Sequence, residues 1–141
     1  MSNAVKEISV ILSEAPMCFI ATACNNEPHV RAFQYQFEQD GKLWFCTARS
    51  KDVFKQLEMN PAVEICAVTK DMTWVRITGK VSFEDSHAIK ERILSEQPMI
   101  KGIYGTADNP DFTTFCIEHG EYAIADFSGN PPRKGRSEER R

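Results

Sequence analysis

The segment Lys42 to Pro61, KLWFCTARSKDVFKQLEMNP, constrains the fold most, because its hydrophobic period changes partway along. From Lys42 to Thr47, Leu43, Phe45 and Thr47 alternate with Lys42, Trp44 and Cys46, the two-residue repeat of a strand. Beyond it Val53, Phe54 and Leu57 recur at three and four residues, the spacing of one helical face. Ser50 is a favourable N-cap, and Asp52 places a carboxylate in the first turn, where it complements the helix dipole. A strand therefore ends in the polar turn Thr47-Ala48-Arg49-Ser50-Lys51, and a helix starts from it.

A helix start exposes unpaired N–H groups and about half a positive charge, which together favour a bound phosphate. Two hydroxyls, Thr47 and Ser50, and two cations, Arg49 and Lys51, surround this one. They form a candidate phosphate cradle without the glycines of a P-loop. An ordinary capped helix with two solvated cations would use the same residues.

The neighbouring segments alternate too. In His29 to Phe37, Arg31, Phe33, Tyr35 and Phe37 share one face and Val30, Ala32, Gln34 and Gln36 the other. An arginine in line with three aromatics suits a flat binding surface, or a barrel strand whose end is wet. Asp40-Gly41 marks a hairpin turn into the next strand. Thr73 to Glu84 alternates most cleanly, with Val75, Ile77, Val81 and Phe83 on one side and a bend or bulge at Gly79. Trp74 and Arg76 fall on its polar side, as at a partner interface or ligand edge, or on a surface strand.

Met17–Ala23 and Ala62–Thr69 read as further strands, the first entering a hairpin at Asn25-Asn26-Glu27-Pro28. Phe112–His119 and Glu121–Phe127 read as a last hairpin around Gly120. A first helix carries Val5, Ile8 and Leu12, with Ser2 or Asn3 as cap and Pro16 past its end. Another starts at Asp85 or Ser86, buries Ile89, Ile93 and Leu94, and stops near Gln97-Pro98; Lys101–Asp111 reads as a loop. The expectation is a mainly β domain over residues 1–127, an antiparallel barrel or sandwich of about six strands with helices inserted. Residues 128–141 are so poor in apolar side chains that they read as a disordered tail.

A formal charge of −3 argues against a non-specific nucleic-acid binder. No apolar run approaches the roughly 20 residues of a membrane span, and no signal-peptide pattern opens the chain. Five cysteines lack a Cys-x-x-Cys pair, so reduced thiols and a cytoplasmic setting are expected. Three histidines without ligand spacing, and no Gly-x-Ser-x-Gly elbow, leave no expected metal site and no assigned catalytic residue.

Four blocks in order, Pro28-His29-Val30-Arg31, Gly41-Lys42-Leu43-Trp44-Phe45-Cys46-Thr47, Asn60-Pro61-Ala62-Val63 and Ile77-Thr78-Gly79-Lys80-Val81, resemble the flavin-binding split-barrel superfamily. Pyridoxamine-phosphate oxidase is its best-known member, and the nitroimidazole-resistance (Nim) proteins are smaller ones. The resemblance spans about residues 10 to 127 and implies a six-stranded antiparallel Greek-key split barrel, a homodimer with FMN at its interface. By that resemblance Arg31, Ala32, Phe33 and Gln34 line the isoalloxazine and phosphate side, and Thr47, Ser50 and Lys51 hold the phosphate. Trp74 falls at a flavin-contacting position. In many members the phosphate lysine comes later, at about Val53, whereas here it is Lys51.

The implied activity is an FMN-dependent oxidoreductase acting on an unknown small molecule, because the flavin supplies the redox chemistry. Haem or the deazaflavin F420 in place of FMN, or a non-catalytic binder, are the alternatives. Efficient pyridoxamine-phosphate oxidation is not expected. The oxidase completes its substrate site with a C-terminal segment bearing Trp and Arg, whereas Ser128–Arg141 has no Trp, and Gln36 stands where the oxidase has a cation.

Overall fold

The computed structural model describes residues 3–15 and 17–137. Its elements run α1 (Asn3–Glu14), β1 (Cys18–Cys24), β2 (Glu27–Phe33), β3 (Phe37–Gln39), β4 (Lys42–Ala48), α2 (Asp52–Met59), β5 (Ala62–Val68), β6 (Trp74–Lys80), β7 (Ser82–Phe83), α3 (His87–Glu96), α4 (Pro98–Tyr104), β8 (Phe112–Ile117), β9 (Gly120–Ala125) and β10 (Arg133–Arg136). The helix-flanking signals placed at Ser2 and Pro16 lie outside the described residues. The large sheet has the order β10-β9-β6-β5-β1-β2 and the small one β3-β4-β8-β7, with every pairing antiparallel. This is the mainly β, helix-flanked split barrel expected from the sequence.

The barrel core gathers the inner faces of both sheets and the apolar side of α1: Val5, Ile8 and Leu12 meet Ile20, Phe45, Ile65, Ile77 and Phe115. A second cluster lies on the other face of the small sheet, where Trp44, Phe112 and Cys116 pack against Ile89, Ile93 and Leu94 of α3 and Ile100 of α4. The small sheet is thus buried on both sides, and all six residues of β8 are buried. Ser86 caps α3 by accepting from the Ile89 N–H, as its position predicts.

Two tight turns fix the hairpin registers. Asn25 and Asn26 join β1 to β2 with φ of 52° and 64°, and Asp40 and Gly41 join β3 to β4 with φ of 58° and 77°. Both are left-handed pairs of the kind two-residue hairpins require, and Asn, Asp and Gly adopt them at least cost.

The structure corrects the sequence reading in several places. The run 29–37 is two strands: β2 edges the large sheet, and residues 34–36 carry the chain across to β3 in the small one. The run 73–84 divides the same way into β6 and β7. A sharply bent strand keeps its two-residue alternation, so periodicity cannot show the bend. β8 and β9 do not form a hairpin; β8 pairs with β4 and β7, and β9 with β6 and β10. Gly79 and Gly120 face each other at this crossing, where a Cβ on Gly79 would stand 2.8 Å from the His119 carbonyl oxygen. Part of the expected loop is helix α4, opened by Pro98 at its first turn. Within the expected tail, Arg133–Arg136 form β10, because the free edge of β9 supplies hydrogen-bond partners that its own composition could not.

Candidate cofactor site

The turn between β4 and α2 is organised differently from a Ser-capped helix. Lys51, not Ser50, is the N-cap residue, with φ −83° and ψ 151°, and no side chain among the described residues caps the helix. The Phe54 N–H turns back to the Lys51 carbonyl at 3.2 Å, which leaves the first-turn N–H groups of Asp52 and Val53 to solvent or a ligand. The Ser50 N–H and hydroxyl both donate to the Asp111 carboxylate, at 2.8 and 2.9 Å. Arg49 is strapped to the same loop, its Nη1 donating to the Pro110 and Phe112 carbonyls at 2.5 and 3.3 Å. Lys51 is exposed; its N–H donates to the Ala48 carbonyl at 3.1 Å, while its ammonium makes no hydrogen bond or ion pair among the described residues.

Thr47 sits on the inner face of β4, opposite Thr113, and is 2% exposed. Its hydroxyl oxygen is buried and has no hydrogen-bond partner among the described residues. Such a group costs about 1–3 kcal/mol while it stays unpaired, so its retention in a core is notable.

Arg31 reaches the same helix from β2. It is half-buried, and its Nη2 donates to Gln56 Oε1 at 2.5 Å, five residues past Lys51, or about 7.5 Å of helix rise. Burial holds its pKa below the ordinary arginine value. The candidate cation and cradle thus share α2 but meet different turns of it.

The other predicted residues separate. Ala32 is exposed on the outer face of the large sheet. Phe33 packs edge-on against Phe45 and Phe115, with ring centroids 6.5 and 5.8 Å away, and so belongs to the core. Gln34 is exposed in the β2–β3 crossing, where its Nε2 donates to Gln97 Oε1 between α3 and α4 at 3.1 Å. Gln36 Nε2 donates to the Gln34 carbonyl at 3.1 Å, leaving the buried Oε1 without a partner among the described residues. Trp74 lies on the outer face of the large sheet with Phe127 edge-on at 4.9 Å, away from the inward-facing Arg31 and Phe33. Within one chain Trp74 is not brought to α2.

On the α4 side Cys46 and Tyr104 pack against the second cluster, with the Lys90 ammonium 5.9 Å from the Phe112 ring. Burial pushes the Cys46 thiol up to about 12, against the opposing pull of Lys51. It also pushes the Tyr104 hydroxyl up to about 12, and that ring stacks on Phe112 at 4.5 Å. A cleft of about 480 Å³ opens elsewhere, on the outer face of β6, β9 and β10, lined by Arg76, Thr78, Glu121, Lys134 and Arg136 among others. The outer face of the large sheet is also apolar in part: Phe19 is 46% and Val30 68% exposed.

Sequence reasoning missed Gln56. The available signal was a polar residue three past Val53 and one before Leu57, on the stripe that α2 buries.

Known proteins share this fold. A family model described as pyridoxamine 5'-phosphate oxidase matches residues 4–123. A NimC/NimA family protein from Clostridium acetobutylicum is 32% identical, with 94% of this chain and 92% of that one covered and a TM-score of 0.87. A pyridoxamine 5'-phosphate oxidase-related, FMN-binding protein from Nostoc punctiforme is 16% identical, covering 95% and 89% of the two chains at a TM-score of 0.64. A haem-binding protein from Mycobacterium smegmatis is 15% identical at a TM-score of 0.78, over 98% of this chain and 60% of that one. No curated protein matches. With its helix-flanked split barrel and a family match over most of its length, this chain belongs to the pyridoxamine 5'-phosphate oxidase family.

Proposed function

We propose that the protein binds FMN and works as an oxidoreductase on a small molecule, as a homodimer with the cofactor at the interface. The observation that carries this reading is the pairing of an uncapped helix start, beside Lys51, with the buried, unpartnered hydroxyl of Thr47. Nothing in the fold requires either, and both suit an oxyanion. The Asp52 and Val53 N–H groups at the start of α2 and the Lys51 ammonium would hold the phosphate, with Thr47 as a further donor. Ser50 acts here as a strut, because its hydroxyl is committed to Asp111. The bound flavin would supply the electron or hydride transfer. The protein's part is to bind and orient it.

The exposed Phe19, Val30 and Ala32, with Trp74 on the same sheet face, support a second copy docking there. Such pairing would also bring Trp74 toward the partner's flavin. Gln36 supports a partner molecule other than pyridoxamine phosphate, since a neutral amide gives no charge-assisted contact to a second phosphate. Arg133, Lys134 and Arg136 lie on the ordered strand β10, not on a solvated tail. Quinones, nitro compounds and nicotinamide donors remain the substrate classes of choice.

Titration with FMN and with riboflavin, which lacks the phosphate, tests the reading. FMN should bind more tightly, and Lys51→Ala should erase most of that difference at an unchanged melting temperature. Equal affinity for the two flavins in the parent protein would overturn the phosphate cradle.

A further inference from the structure

Arg31 is held in place without being neutralised. Its Nη2 donates to Gln56 Oε1 at 2.5 Å, and its Nη1 donates to Thr22 Oγ1 at 3.0 Å and to the Ile20 carbonyl at 3.2 Å. The Thr22 hydroxyl, 3% exposed, donates in turn to the same Gln56 oxygen at 2.7 Å. Every acceptor is neutral. Among the described residues no carboxylate forms an ion pair with Arg31, and its Nε–H makes no hydrogen bond.

Arg76, on the outer face of the same sheet, shows the contrast. It is exposed, yet Glu64 takes both its Nε and Nη2, at 3.0 and 2.6 Å. The chain therefore pairs the arginine that water already solvates and leaves unpaired the one that is partly desolvated. Partly buried charges are ordinarily compensated. An amide in place of a carboxylate fixes a guanidinium's direction while leaving its charge available.

We infer that Gln56 is a positioning residue: with Thr22, its neutral amide orients Arg31 as an uncompensated cation for an oxyanion of the ligand that α2 carries. This rests on the reading that α2 holds the ligand's phosphate end. Glutamate at position 56 would bind Arg31 more strongly and quench it, so stability and ligand affinity should move in opposite directions.

The test compares Gln56→Glu and Gln56→Met with the parent, using FMN, riboflavin and inorganic phosphate as probes. Gln56→Glu should melt at the same temperature or higher, bind FMN at least tenfold more weakly and leave riboflavin affinity unchanged. Inorganic phosphate should raise the melting temperature of the parent and not of Gln56→Glu. Gln56→Met, which removes the acceptor without adding charge, should lower the melting temperature and weaken FMN binding less than Gln56→Glu does. Parent-like FMN and phosphate binding by Gln56→Glu would overturn the proposal, as would a parent that binds neither. A parent that takes phosphate but not FMN, with Gln56→Glu taking neither, would uphold the role of Gln56 and remove the flavin reading instead.

Discussion

Thr47→Val should make the ligand-free protein more stable and the cofactor site worse. Valine keeps the shape and β-branching of threonine in a strand, replacing only the hydroxyl by a methyl group. At position 47 that hydroxyl is buried, in a residue 2% exposed, and has no partner among the described residues. Removing an unpaired buried hydroxyl recovers its desolvation cost, about 1–3 kcal/mol. At the lower end this should raise the melting temperature by roughly 3–5 °C for a domain of this size. If the same hydroxyl donates to an FMN phosphate, its loss costs a charge-assisted hydrogen bond of roughly 1.5–3 kcal/mol, or about 10- to 150-fold in affinity. Calorimetric melting without ligand and fluorescence titration with FMN give the two quantities. A destabilised Thr47→Val, or one that binds FMN like the parent, would refute the reasoning.

Gly79→Ala should cost on the order of 1–3 kcal/mol, because the added Cβ meets the His119 backbone carbonyl at 2.8 Å and one strand must shift; urea unfolding measures it. Stability should also fall above pH 9. Burial pushes the thiols of Cys18, Cys46 and Cys116 from the ordinary 9.0 to about 12. Between those values the unfolded chain releases protons that the folded chain keeps, so the contribution is complete below pH 9 and lost toward pH 12, at roughly 1.4 kcal/mol per thiol per pH unit. Denaturation at pH 8 and pH 10 under reducing conditions should show the drop, and Cys46→Ser should reduce it. Val30→Glu, on a side chain 68% exposed, should leave folding intact, give a monomer by light scattering and weaken FMN binding; a flavin-loaded monomer would separate the cofactor site from dimerisation.

Much of the barrel was legible because its signals are local. Asn25-Asn26 and Asp40-Gly41 supply the left-handed residues that hairpins demand, and Ser86 caps α3 as its type predicts. The strand-to-helix switch near Ala48 shows directly as a change of period. What periodicity could not reveal was which sheet a strand joins. Tyr35 and Phe37 alternate as if in one strand, yet Tyr35 faces the barrel core and Phe37 packs under α3. The candidate site divides along the same line. Lys51 and Thr47 follow from the helix start, whereas the diversion of Ser50 to Asp111 depends on a partner 61 residues away. Gln56 became visible as a partner of Arg31 only once β2 and α2 were brought together.

The most direct test offers the purified protein, stripped of any cofactor, to FMN, F420 and haem in competition, and records the visible spectrum after gel filtration. The account predicts a flavin spectrum at about one FMN per chain, retained on a species of twice the 16.0 kDa chain mass. Retention of haem with a Soret band, or of F420, with FMN eluting free, would contradict it.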